Sequence, residues 1–76
     1  MSGISQAFRD RLKLALSEDP RSQREIARVS GYNDGYISRL LNGTRSNPTL
    51  GFIETMSLTL GRDPAWMLGL KENDYV

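Results

Sequence analysis

The side chains best suited to chemistry lie in the middle of the chain, and their chemistry is hydrogen bonding and charge pairing. Eight of the ten basic residues are arginines, and a guanidinium makes forked contacts with phosphates and with guanine. Residues 21–47 contain five arginines against Glu25 and Asp34, a net charge of +3, whereas residues 48–76 carry −2. Two interpretations fit this distribution, contact with nucleic acid and a set of solvated helix faces.

Catalytic and metal-binding chemistry is poorly represented. The chain has no Cys and no His, and therefore lacks a thiolate nucleophile, the commonest general base and the commonest metal ligand. Its serines have no base to activate them, and Glu54 and Asp63 do not pair at a spacing that suggests acid–base work. We therefore expect no enzymatic activity, no cofactor and no metal.

The length of 76 residues allows one domain. We place that domain at residues 1–70 and predict a polar, frayed tail over residues 71–76. No apolar run approaches the roughly 20 residues that span a bilayer, and no signal-peptide pattern opens the chain. These features predict a cytoplasmic protein that makes no membrane contact.

The helical spacing of apolar residues predicts an all-α fold of five short helices. The first helix is predicted from about Ser5 to Ser17. Each later helix follows a residue that can cap its N-terminus, namely Ser22, Asn33, Thr49 and Asp63. In the fifth helix, Trp66 and Met67 are expected to lie in the core rather than at a ligand site.

The most informative segment comprises residues 22–41, where a capped short helix, a three-residue turn and a second short helix follow one another. Such a turn forces the two helices to cross steeply, which is the helix-turn-helix motif. Ala27 is small where the helices approach, Gly31 lies in the turn, and Ile37 points back into the angle. In this motif the second helix lies in the major groove of DNA, with its N-terminal residues at the base edges.

Several short runs in and beyond this segment occur in a specific order. They are Ser22-Gln23-Arg24-Glu25-Ile26-Ala27, Gly31, Ile37-Ser38-Arg39-Leu40, Asn42-Gly43 and Asn47-Pro48-Thr49-Leu50. In this order they resemble the lambda repressor/Cro-like (XRE-type) helix-turn-helix family, over roughly residues 5–69. The segment 60–68 is similar to the fifth helix of phage-type repressors. The resemblance implies a compact five-helix lambda-repressor-like domain in which helices 2 and 3 bind double-stranded DNA. It also implies a protein that is encoded by a bacterium or phage and associates with the nucleoid.

The resemblance also implies roles for individual residues. Gln23 matches the glutamine that in the family bonds to a DNA phosphate and supports a base-reading side chain. The residues expected to face the bases are Asn33, Asp34, Gly35, Ser38 and Arg39, with Arg39 reading guanine. The residues expected to contact the DNA backbone are Ser22, Gln23, Tyr36, Asn42, Arg45 and Asn47.

Asp34 and Gly35 depart from the family pattern, which often has Gln, Arg, Ser or Lys at these places. A carboxylate near phosphates lowers affinity unless it accepts from a cytosine amine, and glycine offers no side chain. These departures leave a second interpretation open, a protein-interaction module that keeps the fold but binds little or no DNA. Arg39 has its own alternative, an exposed salt bridge with Glu25 or Asp34.

Phe52 and Leu58 fall off the apolar face that Leu50, Ile53 and Leu60 share in the fourth helix. Exposed large apolar residues mark a partner surface, so we predict a weak homodimer through the fourth and fifth helices, as the resemblance also suggests. Two copies would present their recognition helices about 34 Å apart to a near-palindromic operator.

The function expected from the sequence is sequence-specific regulation of transcription, with repression favoured. The regulator would occupy an operator and block RNA polymerase, or would contact polymerase as a further partner.

Overall fold

The computed structural model describes residues 3–45 and 47–73, which form five α-helices and no strand. The helices are α1 (Gly3–Glu18), α2 (Gln23–Ser30), α3 (Asp34–Leu41), α4 (Leu50–Leu60) and α5 (Pro64–Met67). The predicted all-α fold of five helices is confirmed, although α1 begins two residues before its predicted start and ends one residue after its predicted end. None of the helices in these residues combines the length and the apolar character that a membrane span requires.

Side-chain caps begin α2 to α5 as predicted. The capping oxygens of Ser22, Asn33, Thr49 and Asp63 accept hydrogen bonds from the backbone N–H groups of Glu25, Tyr36, Phe52 and Ala65. The capping box of α2 is only half formed, because the Glu25 carboxylate pairs with Arg28 instead of reaching back to Ser22.

The turn between α2 and α3 has the predicted three residues, 31–33. Gly31 adopts a φ of 84°, in the left-handed region that glycine enters without steric cost. Its N–H and that of Tyr32 both donate to the Ala27 carbonyl, at 3.0 and 3.1 Å, which closes the end of α2. The chain is thereby turned directly into α3.

One buried face of every helix contributes to a single core. The buried apolar residues are Phe8, Leu12, Ala15, Ile26, Ala27, Ile37, Leu40, Phe52, Ile53, Met56, Leu60, Trp66 and Met67. Helix α1 packs on α3 and α5, while α4 packs on α2 and α5. The predictions for Ala27 and Ile37 at the crossing of α2 and α3, and for Trp66 and Met67 in the core, are confirmed.

The prediction that Phe52 lies on an exposed dimer surface is wrong. Its side chain has 0% exposure, and its ring meets those of Tyr32 and Tyr36 edge-on, with centroids 4.8 and 4.9 Å apart. Leu50, predicted to share the buried face, is instead 83% exposed. Helical spacing allows this burial, because Phe52 lies four and eight residues before Met56 and Leu60. The rings of Tyr32 and Tyr36 then decide that Phe52, rather than Leu50, completes the buried face. Leu58 does lie at the surface, with 76% exposure.

The start of the predicted tail is held in place rather than frayed. The Lys71 ammonium donates to the Asp63 carboxylate at 2.7 Å, and the Lys71 carbonyl accepts from the Arg11 guanidinium at 3.3 Å. Residues 74–76 of the predicted tail lie outside the described residues.

Arg21 forms an ion pair within the loop between α1 and α2 and ties this loop to the end of α4 by a hydrogen bond. Both oxygens of Asp19 accept from the Arg21 guanidinium, at 2.9 and 3.0 Å, and the same guanidinium donates to the Thr59 carbonyl at 2.8 Å. Hydrogen bonds from the Arg21 side chain and backbone lower the pKa of Asp19 from 3.8 to about 2. The folded protein therefore holds this carboxyl ionised at a pH where the unfolded chain protonates it.

Asp19→Asn is expected to lower the free energy of unfolding at pH 7, because the lowered pKa means that ionised Asp19 stabilises the folded state. That stabilisation is complete above a pH of about 4 and is lost as the pH falls toward about 2. Urea unfolding of both proteins at pH 7, 4 and 2 should show a difference that shrinks with acidity. Asp10→Asn, at an exposed carboxyl of α1, is the control, and a pH-independent difference for Asp19→Asn would contradict the assignment.

Candidate nucleic-acid interface

Gln23, the first residue of α2, connects the two helices of the motif. Its Nε2 donates to Asp34 Oδ1 at 2.7 Å and to Ser38 Oγ at 2.9 Å. Both hydrogens of the amide are thereby used within the protein. Gln23 supports the exposed side of α3 in this arrangement, and a phosphate contact through the same nitrogen would require one of these bonds to be given up.

Arg39 lies along the exposed face of α3. Its Nη1 is 3.2 Å from the position that a Cβ on Gly35 would take, so the missing side chain of Gly35 provides the space for the guanidinium. The alternative of a salt bridge is not realised, because Glu25 pairs with Arg28 and Asp34 accepts from Gln23. Within the described part of the chain Arg39 has no ion-pair partner, and its donors face solvent.

Asn33 also has an exposed position beside this face. Its Oδ1 accepts from the Tyr36 N–H at 2.6 Å and so caps α3. The carboxamide nitrogen remains as the hydrogen-bonding group that Asn33 can offer to a ligand.

The side chain of Tyr36 is half-buried at the edge of the interface. Its ring stacks on Tyr32, with centroids 5.5 Å apart, and the guanidinium carbon of Arg45 lies 4.7 Å from its centroid. A cation over an aromatic face is attracted by the negative potential of the ring. This contact holds Arg45 close to α3, although the loop that carries it is exposed.

The polar residues of the loop after α3 are held by local hydrogen bonds. Asn42 Oδ1 accepts from the Thr44 N–H at 2.9 Å, and Asn47 Oδ1 accepts from Ser5 Oγ at 3.0 Å. Asn42 and Asn47 are both exposed. The structure therefore places these predicted backbone contacts at the surface, next to α3 and α1 respectively.

Arg24, in the first turn of α2, was missed by the sequence reasoning. It is exposed and makes no ion pair with any described residue. The amides and dipole at the start of a helix favour anions, and Arg24 adds a full positive charge there beside the cap Ser22. Its position next to Gln23 was the signal that could have identified it.

The five arginines of residues 21–47 divide into two groups. Arg21 and Arg28 are neutralised by Asp19 and Glu25, and the Arg28 guanidinium lowers the pKa of the Glu25 carboxyl. The other three, which we call the unpaired arginines, are Arg24, Arg39 and Arg45. Five arginines against Asp19, Glu25 and Asp34 give residues 19–47 a net charge of +2. The positive charges without an ion pair to a described residue lie at the start of α2, on the exposed face of α3 and in the following loop.

Arg9 of α1 holds the other end of α3. Its Nε donates to the Leu40 carbonyl at 2.8 Å, and its Nη1 donates to Gln6 Oε1 at 2.7 Å. A cation bonded to the last carbonyls of a helix also complements the helix dipole. No sequence motif signals this contact, because it joins residues 31 positions apart.

Helices α2 and α3, two short helices joined by a three-residue turn that contains Gly31, place this protein in the class of helix-turn-helix domains. A family model described as "Helix-turn-helix" matches residues 21–67. The chain belongs to this lambda repressor/Cro-like (XRE-type) family of DNA-binding transcription regulators, which are typically non-enzymatic. No curated protein and no solved structure matches the chain.

The family implies double-stranded DNA as the ligand. Among residues 3–45 and 47–73, no group of three or more His, Cys, Asp or Glu side chains is arranged to hold a metal ion.

Gln23→Ala is expected to lower the free energy of unfolding by about 1–2 kcal/mol, because it removes two hydrogen bonds between α2 and α3, one of them to a carboxylate. Urea unfolding at neutral pH measures the change. Arg24→Ala is the matched control, since the neighbouring side chain has no such bond and its loss should leave stability unchanged. Equal stabilities of the Gln23→Ala variant and the unmodified protein would show that the bridge contributes nothing.

Proposed function

We propose that this chain is a sequence-specific transcriptional repressor that inserts α3 into the major groove of an operator half-site. The observation that carries the proposal is the placement of the unpaired arginines on the helix-turn-helix and the loop after it. A polyanion contacted by these three groups would release counterions, while α3 offers polar side chains at its exposed N-terminal end.

The residues we assign to base edges are Asn33, Asp34, Gly35, Ser38 and Arg39, where Gly35 contributes by letting Arg39 lie close to the helix. The residues we assign to the DNA backbone are Ser22, Arg24, Tyr36, Asn42, Arg45 and Asn47. To Gln23, first expected to contact the backbone, we assign the positioning of Asp34 and Ser38, which its amide bonds. Backbone contacts fix the register of the domain, and contacts to base edges supply the discrimination.

The size of the domain supports a half-site for each copy. Its principal extents are 27 × 27 × 20 Å, less than the helical repeat of about 34 Å that separates half-sites on one face of DNA. We propose a weak homodimer through α4 and α5 on a near-palindromic operator. The exposure of Leu58 and Leu50, at 76% and 83%, supports an apolar contact on α4.

The experiment that tests DNA recognition is selection of bound duplexes from a random pool, followed by fluorescence titration of an enriched duplex at several salt concentrations. A common half-site should be enriched, and the logarithm of affinity should fall with the logarithm of salt at about −0.9 per phosphate contacted. An unselected duplex of equal length is the control. No enrichment, with no binding even at low salt, would favour the protein-interaction module instead.

The repressor role and the homodimer have separate tests. Transcription in vitro from a promoter that carries the enriched site should fall as the protein occupies it, whereas a rise would indicate activation through contact with RNA polymerase. Sedimentation should show dimers at high protein concentration or on the operator. A monomer under both conditions would contradict the proposed homodimer without contradicting DNA recognition.

A further inference from the structure

The first residues of α2 and α3, Gln23 and Asp34, each have one side-chain oxygen that accepts no hydrogen bond from a described residue. Gln23 uses both hydrogens of its amide on Asp34 and Ser38, so its Oε1 is the polar atom that remains. Asp34 accepts through Oδ1, and within the described residues its Oδ2 has no hydrogen-bond partner. In the described residues no side-chain nitrogen or oxygen is both buried and unpartnered, so these two oxygens reach solvent.

The chemistry of this pair is that of a hydrogen-bond acceptor with a negative charge. The bond from Gln23 fixes which oxygen of Asp34 is engaged and leaves the other to face outward. Asp34 is also the first residue of α3, where the helix dipole favours a carboxylate. Since the N-terminal end of the recognition helix approaches base edges, a base that meets Asp34 meets an acceptor.

The four bases present different hydrogen-bonding groups to an acceptor in the major groove. Guanine presents N7 and O6 and thymine presents O4, all of which are acceptors that a carboxylate repels. Adenine has the N6 amine, but its acceptor N7 lies alongside. Cytosine presents the N4 amine as its major-groove group, so it alone offers a donor with no neighbouring acceptor on the same base.

We propose that Asp34, oriented by Gln23, selects cytosine at one position of each operator half-site. This assignment rests on the proposed function and adds to it the base that one residue recognises. The phosphates of DNA repel the Asp34 carboxylate whatever the base sequence. A hydrogen bond from the cytosine amine offsets that repulsion at the correct site. Asp34 therefore acts as much by disfavouring other bases as by binding one.

The test compares duplexes enriched by the unmodified protein, by Asp34→Ala and by Asp34→Asn. The unmodified protein should enrich a cytosine at one position, and exchanging that C·G pair for T·A should weaken binding about tenfold, within the range expected for one base contact. Asp34→Ala should flatten the preference there. Asp34→Asn can still accept from Gln23 but turns an amide donor outward, so it should shift the preference from cytosine to a base that presents an acceptor, which is any of guanine, thymine and adenine.

Two controls separate the possible outcomes. Glu54→Gln removes an equivalent charge from an exposed carboxylate of α4 and should leave every base preference unchanged. Circular dichroism of Asp34→Asn, which keeps the shape of the side chain, should confirm a folded protein. A protein that enriches a half-site whose base preferences are unaffected by Asp34→Asn would overturn the cytosine assignment alone. A protein that enriches no sequence would overturn the proposed function and this assignment together.

Discussion

The Phe52→Ala variant is expected to lose about 3–5 kcal/mol of the free energy of unfolding, the usual cost of deleting a fully buried aromatic ring. Phe52 has 0% exposure, and its ring lies edge-on to those of Phe8, Tyr32 and Tyr36, at centroid distances of 6.0, 4.8 and 4.9 Å. The total free energy of unfolding of a domain of 76 residues is about 4–11 kcal/mol. The substitution should therefore unfold a measurable part of the protein at physiological temperature.

Urea unfolding followed by circular dichroism measures this loss, and Leu58→Ala provides the matched comparison. Leu58 is an apolar residue of the same helix with 76% exposure, so its truncation should change stability by less than about 0.5 kcal/mol. Self-association should show the opposite pattern. Leu58→Ala should weaken it, and Phe52→Ala should leave it unchanged in the protein that remains folded. If Phe52→Ala kept full stability and lost only self-association, the surface role predicted from the sequence would be restored.

The Arg39→Ala variant is expected to relax discrimination at one base pair by about 1–3 kcal/mol, which is the loss of a forked contact to guanine. Stability should be unchanged, because the side chain is exposed and has no ion pair with a described residue. Selection from a random pool shows the altered position, and titration of matched duplexes measures the energy.

Arg28→Ala is the control for lost charge. Arg28 is an exposed arginine of α2 that already pairs with Glu25, so its removal should change no base preference. If Arg39→Ala retained both the affinity and the preferences of the unmodified protein, the exposed face of α3 would not be the recognition surface.

The starts and turns of the helices could be predicted from the sequence because the interactions that set them are local. The Ser22 hydroxyl reaches an amide three residues away, and Gly31, which has no Cβ, enters the left-handed conformation that ends α2. The order of these signals was also sufficient to predict the fold class and the family. Both could be predicted because they depend on short sequence motifs and on the order of these motifs along the chain.

The burial of Phe52 in α4 could have been predicted from the sequence, because Phe52, Met56 and Leu60 recur at intervals of four residues. The apolar face of α4 is wide, and Leu50 lies at its other margin. The rings of Tyr32 and Tyr36 pack against Phe52. The choice between the two margins is made by this tertiary packing, which helical spacing does not show.

The polar contacts that orient the candidate interface could likewise not be predicted from the sequence. Gln23 could be placed at the start of a helix, but its bond to Asp34 depends on how the turn brings two helix N-termini together. The bond from Arg9 to the Leu40 carbonyl depends on the docking of α1. Residue types identified the participants, and only the fold identified their partners.

The open side of Gly35 gives this protein a simple route to divergence. The nearest atoms that a methyl group there would meet are Arg39 Nη1 at 3.2 Å and Asn33 Oδ1 at 3.4 Å, which are both at the surface. Gly35→Ala would therefore displace the Arg39 guanidinium and leave the core as it is. If Arg39 contacts bases as we propose, position 35 sets the reach of that side chain, and base preference can change there independently of stability.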